Sequence, residues 1–127
     1  MISFSRLIRS FCHAFRGIIL TFRAEQSFRL QSIAGAMVLV IAWAFHISML
    51  EWVILVILVG AVLCLELMNS VFERLLDTFK PRIHPVVRDI KDIMAALVLV
   101  ACCVSAVVAG FMFFPRLLRL LSPFLPA

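Results

Sequence analysis

This chain has 127 residues, of which 65% are hydrophobic and 15% are charged, and its mean hydropathy is +1.15. These values lie outside the range of a soluble globular domain and predict an integral membrane protein with one small all-α bundle. The net charge of +5 does not indicate a nucleic-acid partner, because the basic residues flank apolar segments as membrane anchors do.

The first predicted element is an amphipathic helix over residues 2–23. Its large apolar side chains recur at helical spacing on one stripe, and Arg6 and its other arginines fall on the opposite side. This pattern predicts a helix that lies in the membrane interface, with its apolar face toward the acyl chains and its arginines toward the phosphate headgroups.

Three apolar segments follow, and each is long enough to cross the hydrocarbon core at about 1.5 Å per residue. They cover residues 32–50, 52–73 and 93–114. The link between the first two holds Glu51 but no Lys or Arg, whereas Pro81 and Pro85 interrupt the chain between the second and third. Residues 115–127 are predicted to form a tail.

The distribution of basic residues predicts the orientation of these spans. Ten of the twelve Lys and Arg residues precede the first span or lie between the second and third. By the positive-inside rule, the N-terminus and the second loop face the cytoplasm. Arg116 and Arg119 fall on the outer side, against this trend.

The second span carries a stripe of polar side chains toward its end. Glu66, Asn69, Ser70, Glu73 and Asp77 fall within an arc of about 100° on a helix, so they share one face that is unsuited to contact with lipid. Ionisable groups inside a span cost about 2.5–3.5 kcal/mol at its centre by insertion scales, and they usually mark function. The stripe therefore predicts a functional site at the cytoplasmic interface.

The chemistry of these residues favours a site that binds phosphate and activates a lipid hydroxyl. Glu25 and Glu73 are suitable ligands for Mg²⁺, which takes one or two carboxylates together with substrate phosphates. Glu66, placed deeper, suits a general base for a lipid hydroxyl. Lys91 can hold a phosphate, and Asp92 can orient that lysine or a metal-bound water. Soluble nucleotide-binding motifs are absent from the sequence, so any use of ATP requires an unrelated architecture.

Three sequence features point to one family. The first is ELMNSVFERLLD at 66–77, which follows the pattern E-[ILV]-x-N-[ST]-x-[IF]-E-x-x-x-D. The second is H-x6-K-D, present as HPVVRDIKD at 84–92, and the third is the acidic Glu25 after the surface helix. On these features nearly the whole chain resembles the small bacterial membrane lipid kinases, the prokaryotic diacylglycerol kinase and undecaprenol kinase family.

The resemblance implies transfer of the γ-phosphate of ATP to a lipid hydroxyl by a homotrimer in the bacterial cytoplasmic membrane, with active sites shared between neighbouring chains. It implies Glu66 as the general base, and Glu25 and Glu73 as the carboxylates that bind Mg²⁺ with ATP. The candidate ATP-binding residues are Arg6, Glu25, Asn69, Glu73, Asp77, His84, Lys91 and Asp92. The candidate lipid-binding residues are Arg6, Arg29 and Glu66.

The lipid acceptor stays open between undecaprenol and diacylglycerol, and LEWVILV and FMFFP are more similar to the undecaprenol branch. The chain departs from the family pattern at Gln31, Val71, Phe72 and Ala95. One alternative function is a small proton-coupled transporter with Glu66 as proton carrier. The charged residues gather at one interface, however, whereas a transporter needs polar groups that lead to both sides. Another alternative is an assembly or regulatory protein that kept this fold without activity.

Overall fold

The computed structural model describes residues 3–78 and 85–122, and every regular element within them is helical. Three of the four helices are long and apolar enough to cross a membrane, since about 20 residues of helix match the hydrocarbon core. The predicted all-α fold with three membrane helices is confirmed for these residues. The helices are α1 (Phe4–Ala24), α2 (Gln26–Ala44), α3 (Met49–Thr78) and α4 (Pro85–Leu121), of which the last three are the membrane candidates.

Helix α3 contacts each of the other three helices and forms the centre of the bundle. Its buried positions recur at helical spacing on one face, from Leu55 through Val62 to Glu66. Helix α2 approaches closely at Gly35, where a Cβ atom would lie 2.7 Å from Cγ1 of Val59. Any larger residue at that position would force Val59 to shift. The buried face of α3 is thus apolar toward its start and acidic toward its end.

The ends of the first two membrane helices correct the predicted bounds. Helix α2 spans Gln26–Ala44 instead of 32–50, and α3 begins at Met49 and continues to Thr78 instead of covering 52–73. Hydropathy records only the part of a helix that suits hydrocarbon, whereas backbone hydrogen bonding continues into the polar sequence at either end. Helix α1 begins two residues later and ends one residue later than the helix predicted for residues 2–23.

The turn between α2 and α3 explains why α2 ends six residues earlier than predicted. The N–H of His46 donates to the carbonyl of Trp43 at 3.1 Å, and the N–H of Ile47 donates to the carbonyl of Ala42 at 3.4 Å. These two bonds form a Schellman motif, which ends a helix and needs a left-handed residue. His46 fills that position with a φ of 47°, although a side chain there costs about 1–2 kcal/mol relative to glycine.

Helix α4 is longer than the predicted third span. It covers Pro85–Leu121 instead of 93–114, so the helix runs through Pro115 into the segment predicted as a tail, 115–127. Pro85 occupies the first helical position, where its missing N–H would have no partner in any case. The helix therefore includes residues 115–121 of the predicted tail, and residues 123–127 lie outside the described part of the chain.

An ion pair ties the late part of α4 to the start of α3. Arg116 donates to both carboxylate oxygens of Glu51, at 2.9 and 2.8 Å, and to the carbonyl of Met112 at 2.6 Å. The backbone N–H and the hydroxyl of Ser48 each donate to Oε2 of Glu51 at 2.8 Å, an arrangement typical of a capping box. Arg116 also stabilises the helical turn next to Pro115, where proline removes one backbone hydrogen bond.

Candidate active site

The polar stripe on α3 runs from the interior of the bundle to its periphery. Glu66 and Ser70 are buried, with 5% and 3% of their surface exposed. Asn69 and Glu73 are half-buried, and Asp77 is exposed. The site therefore combines a nearly dry end at Glu66 with a wet end near Thr78, which we call the Thr78 end of the bundle.

Glu66 is a buried carboxyl group without a cationic partner among the described residues. Its oxygens accept no hydrogen bond from any residue in the described ranges 3–78 and 85–122, and they keep some accessible surface. Glu73 and Glu25 lie close enough for their negative charges to act on it. A carboxylate that is held by packing and has no internal donor is available to accept a proton from a bound alcohol.

Glu25 and Glu73 come to the Thr78 end from different helices. Glu25 separates α1 from α2, and its N–H donates to the carbonyl of Thr21 at 2.8 Å. Its carboxylate pairs with Arg74 at 3.6 Å, and Arg74 is the neighbour of Glu73. Nδ2 of Asn69 donates to Oε1 of Glu73 at 3.3 Å. The two predicted metal ligands are therefore both held at this end of α3, each by a neighbouring polar side chain.

The donor set at this end fits Mg²⁺ only together with a phosphate ligand. No group of three or more His, Cys, Asp or Glu side chains that could hold a metal occurs among the described residues. Glu25 and Glu73 supply two hard oxygen ligands, and Mg²⁺ commonly completes its six positions with water and substrate phosphates. Two carboxylates are thus available at this end for an ion that arrives with a nucleotide, which is the form the sequence predicts.

Helix α4 supplies a lysine to the same region. Nζ of Lys91 donates to Oδ1 of Asp77 at 2.9 Å, and Glu73 is close enough for its charge to act on the lysine. Asp92 instead faces Arg88 at 4.0 Å, and both side chains are largely exposed. Within one chain, Lys91 therefore contacts the end of the stripe at Asp77. Asp92, the next residue on α4, pairs with Arg88 instead.

Two other predicted site residues, Arg6 and Arg29, are not brought to this cluster, and a third lies outside the described part of the chain. Arg6 lies 19 residues before Glu25 on α1, which corresponds to about 28 Å along a helix. The guanidinium of Arg29 donates to the carbonyls of Phe22 and Arg23 at 3.4 and 3.0 Å, so it caps the end of α1. His84 lies outside the described residues.

Two polar contacts were not predicted from the sequence. Arg74 pairs with Glu25, and its only sequence signal was its place beside Glu73 in the stripe. Nε2 of Gln31 donates to Sγ of Cys102 at 3.1 Å and so connects α2 to α4 inside the bundle. The sequence signal for that contact was the position of Gln31 at the edge of an apolar segment, because a buried amide needs a hydrogen-bond partner.

Comparisons with known proteins agree with the motifs. A family model described as prokaryotic diacylglycerol kinase matches residues 12–113. An undecaprenol kinase of Bacillus subtilis is 34% identical over 113 residues, which are 89% of this chain and 92% of the relative. A diacylglycerol kinase of Synechocystis is 29% identical over 91% of this chain and 66% of its own length. A diacylglycerol kinase of Escherichia coli K12 is 27% identical over 82% of this chain and 85% of its own length. The matched range contains the whole stripe.

Proposed function

This chain belongs to the prokaryotic diacylglycerol kinase family and is a membrane lipid kinase, and we propose that it transfers the γ-phosphate of ATP to the hydroxyl group of a membrane lipid alcohol. The observation that carries this proposal is the buried Glu66 at the dry end of a stripe that leads to Glu25 and Glu73. A lipid hydroxyl and a nucleotide in water can meet only at the membrane interface, and the stripe suits such a meeting point.

In this proposal Glu66 acts as the general base. It takes the proton from the lipid hydroxyl as the oxygen attacks the γ-phosphorus, and ADP leaves with the electrons of the broken bond. Its burial and its lack of an internal hydrogen-bond donor among the described residues support this role. Phosphoryl transfer needs mainly positioning and neutralisation of charge, so a small helical site with few charged residues is sufficient.

Glu25 and Glu73 would hold Mg²⁺ between them together with phosphate oxygens of ATP. When bound, the ion would neutralise charge on the transferring phosphoryl group. Asn69 would keep Glu73 in position, and Lys91 would exchange Asp77 for a phosphate oxygen. These assignments are supported by the contacts of Glu73 and Lys91. Asp77, His84 and Asp92 complete the proposed nucleotide-binding set.

We also propose that the active protein is a homotrimer in the bacterial cytoplasmic membrane, with α1 on the cytoplasmic surface. The distance of about 28 Å along α1 between Arg6 and Glu25 supports a site that a neighbouring chain completes, because Arg6 of one chain could then serve the cluster of another. In the same assembly Arg29 would contact the lipid headgroup only after releasing the end of α1.

The kinase names of the relatives favour this function over the transporter that the sequence left open. The test is transfer of labelled γ-phosphate from ATP by the purified full-length protein in nanodiscs, with undecaprenol and diacylglycerol offered in parallel and Mg²⁺ present or removed by chelation. We expect Mg²⁺-dependent label in lipid. A folded trimer that labels neither lipid would overturn the proposed function.

A further inference from the structure

A cavity of about 230 Å³ lies between α2, α3 and α4 and is partly open to the outside of the bundle. Small residues on α2 and α4, among them Gly35, Ala106 and Ala109, leave the space that larger side chains would fill. Leu55 and Val59 of α3 form part of the apolar wall. The cavity is thus a slot inside the membrane-spanning part of the chain, with walls that suit hydrocarbon.

This slot leads to the proposed general base along one face of α3. Leu55, Val59 and Val62 line the slot, and Glu66 follows Val62 by four residues, one turn further toward the Thr78 end. Glu66 itself does not line the slot, but it lies close enough for its charge to act on the thiol of Cys102, which does line it. A molecule whose hydroxyl reaches Glu66 can therefore lay the carbons next to that hydroxyl in the slot.

We propose that this slot binds the hydrocarbon segment next to the hydroxyl of the lipid substrate and that it selects a single prenyl chain. The inference rests on the proposed kinase function, because it uses Glu66 as the group that meets the hydroxyl. An apolar cavity of about 150 Å³ holds one benzene molecule, so the volume of this slot corresponds to about nine carbon atoms, close to two isoprene units.

The lining favours a prenyl alcohol over a diacylglycerol. The polar side chains that line the slot among the described residues are Gln31, Cys102 and Ser105, and one amide N–H of Gln31 already points to Cys102. A diacylglycerol would bring two ester groups close to its hydroxyl, and a buried polar group without a partner costs about 1–3 kcal/mol. A prenyl alcohol carries only hydrocarbon beyond its first carbon, and it enters as one chain.

The first test fills the slot without touching the polar stripe. In the wild type, kcat/KM for prenyl alcohols of increasing length should rise until the chain fills the slot, at about two isoprene units, and then level off. Ala106→Phe should lower kcat/KM for alcohols of that length and longer by about tenfold or more, with little change for the shortest alcohol and for the KM of ATP.

The matched control is Val107→Phe, because Val107 is the next residue on the same helix, is 57% exposed and does not line the slot. It should keep the chain-length profile of the wild type. Equal profiles for Ala106→Phe and the wild type would overturn the proposed slot even if the kinase activity is high. Diacylglycerol offered in parallel should show no selective loss in Ala106→Phe, and a selective loss there would overturn the preference for a prenyl chain.

A second test measures binding without turnover and uses two neighbouring cysteines. In single-cysteine variants, a long prenyl alcohol should slow labelling of Cys102 by a membrane-soluble thiol reagent and leave labelling of the exposed Cys103 unchanged. Failure of the wild type to phosphorylate any alcohol would overturn the proposed function, and protection of Cys102 would then still support the slot. Equal labelling of both thiols with and without the alcohol would overturn the slot itself.

Discussion

The two ends of α3 carry glutamates in opposite situations. At the Met49 end, Glu51 receives two hydrogen bonds from Arg116 and two from Ser48. Further along the helix, Glu66 is more deeply buried and receives none from the described residues. A carboxylate in a membrane helix is therefore not by itself a sign of catalysis, since that of Glu51 is fully used in structural hydrogen bonds. The catalytic role proposed for Glu66 rests instead on its burial together with the lack of a hydrogen-bond donor among the described residues.

The sharpest test of this contrast makes the same substitution in both places. Glu66→Gln should lower kcat by about 10²–10⁴-fold, the usual contribution of a general base, while thermal unfolding and the KM of ATP change little. Glu51→Gln should lower the unfolding midpoint and keep the turnover of each folded molecule. Lipid phosphorylation and thermal unfolding in the same detergent measure both effects. Near-normal turnover of Glu66→Gln would remove it as the base.

The second prediction concerns the wet end of the stripe. Glu73→Ala should raise the Mg²⁺ concentration needed for half-maximal activity by about tenfold or more, since even the supporting residues of metal sites change affinity by about 10–100-fold. A Mg²⁺ titration at saturating ATP measures the change. Asp89→Ala, which removes an exposed carboxylate at the start of α4, is the control and should titrate like the wild type. An unchanged titration for Glu73→Ala would contradict the ligand assignment.

The third prediction concerns the ion pair between Arg116 and Glu51 at the Met49 end of α3. Arg116→Met should lower the unfolding midpoint by several degrees, because it leaves Glu51 without its main partner and frees the turn next to Pro115. Adding Glu51→Gln to this variant should cost less than Glu51→Gln alone, as expected for two residues that interact directly. Thermal unfolding of the wild type, both single variants and the double variant gives the cycle. Strictly additive losses would show that the pair does not stabilise the fold.

The smallest change in stability is expected at His46, in the turn between α2 and α3. His46→Gly should raise the free energy of unfolding by roughly 0.5–1 kcal/mol, because glycine removes the steric cost of about 1–2 kcal/mol but loses more backbone entropy on folding. His46→Val, which places a β-branched residue at the same positive φ, should lower it. Denaturant unfolding in mixed micelles measures both. A loss of stability in His46→Gly would mean that the imidazole contributes more than the backbone conformation costs.

The sequence predicts the number and kind of helices and the position of the stripe because both depend on local periodicity. Hydropathy identifies three membrane helices, and the spacing of Glu66, Glu73 and Asp77 places them on one face without any knowledge of packing. The resemblance to the lipid kinases rests on the same residues, and the family match across 12–113 confirms it.

Features that depend on contacts between distant residues could not be predicted in this way. The end of α2 follows from the backbone bonds of His46 and Ile47, and these leave no trace in hydropathy. Helix α4 continues beyond Pro115, next to an arginine that bonds to a residue 65 positions earlier. Arg29, a candidate lipid-binding residue, donates to two carbonyl groups at the end of α1. In each case the partner, and not the residue type, determines the role.

The junction between α1 and α2 has a mechanical consequence. Glu25 is the single residue between the two helices, with extended backbone angles of −104° and 121°. The same residue offers a carboxylate to the polar cluster through Arg74. A displacement of that carboxylate therefore acts on the backbone of the junction, which sets the angle between α1 and α2. Under the proposed function, in which Glu25 binds Mg²⁺ and α1 lies on the membrane surface, occupation of the cation position would be coupled to the tilt of α1, and membrane thickness or curvature would then influence turnover.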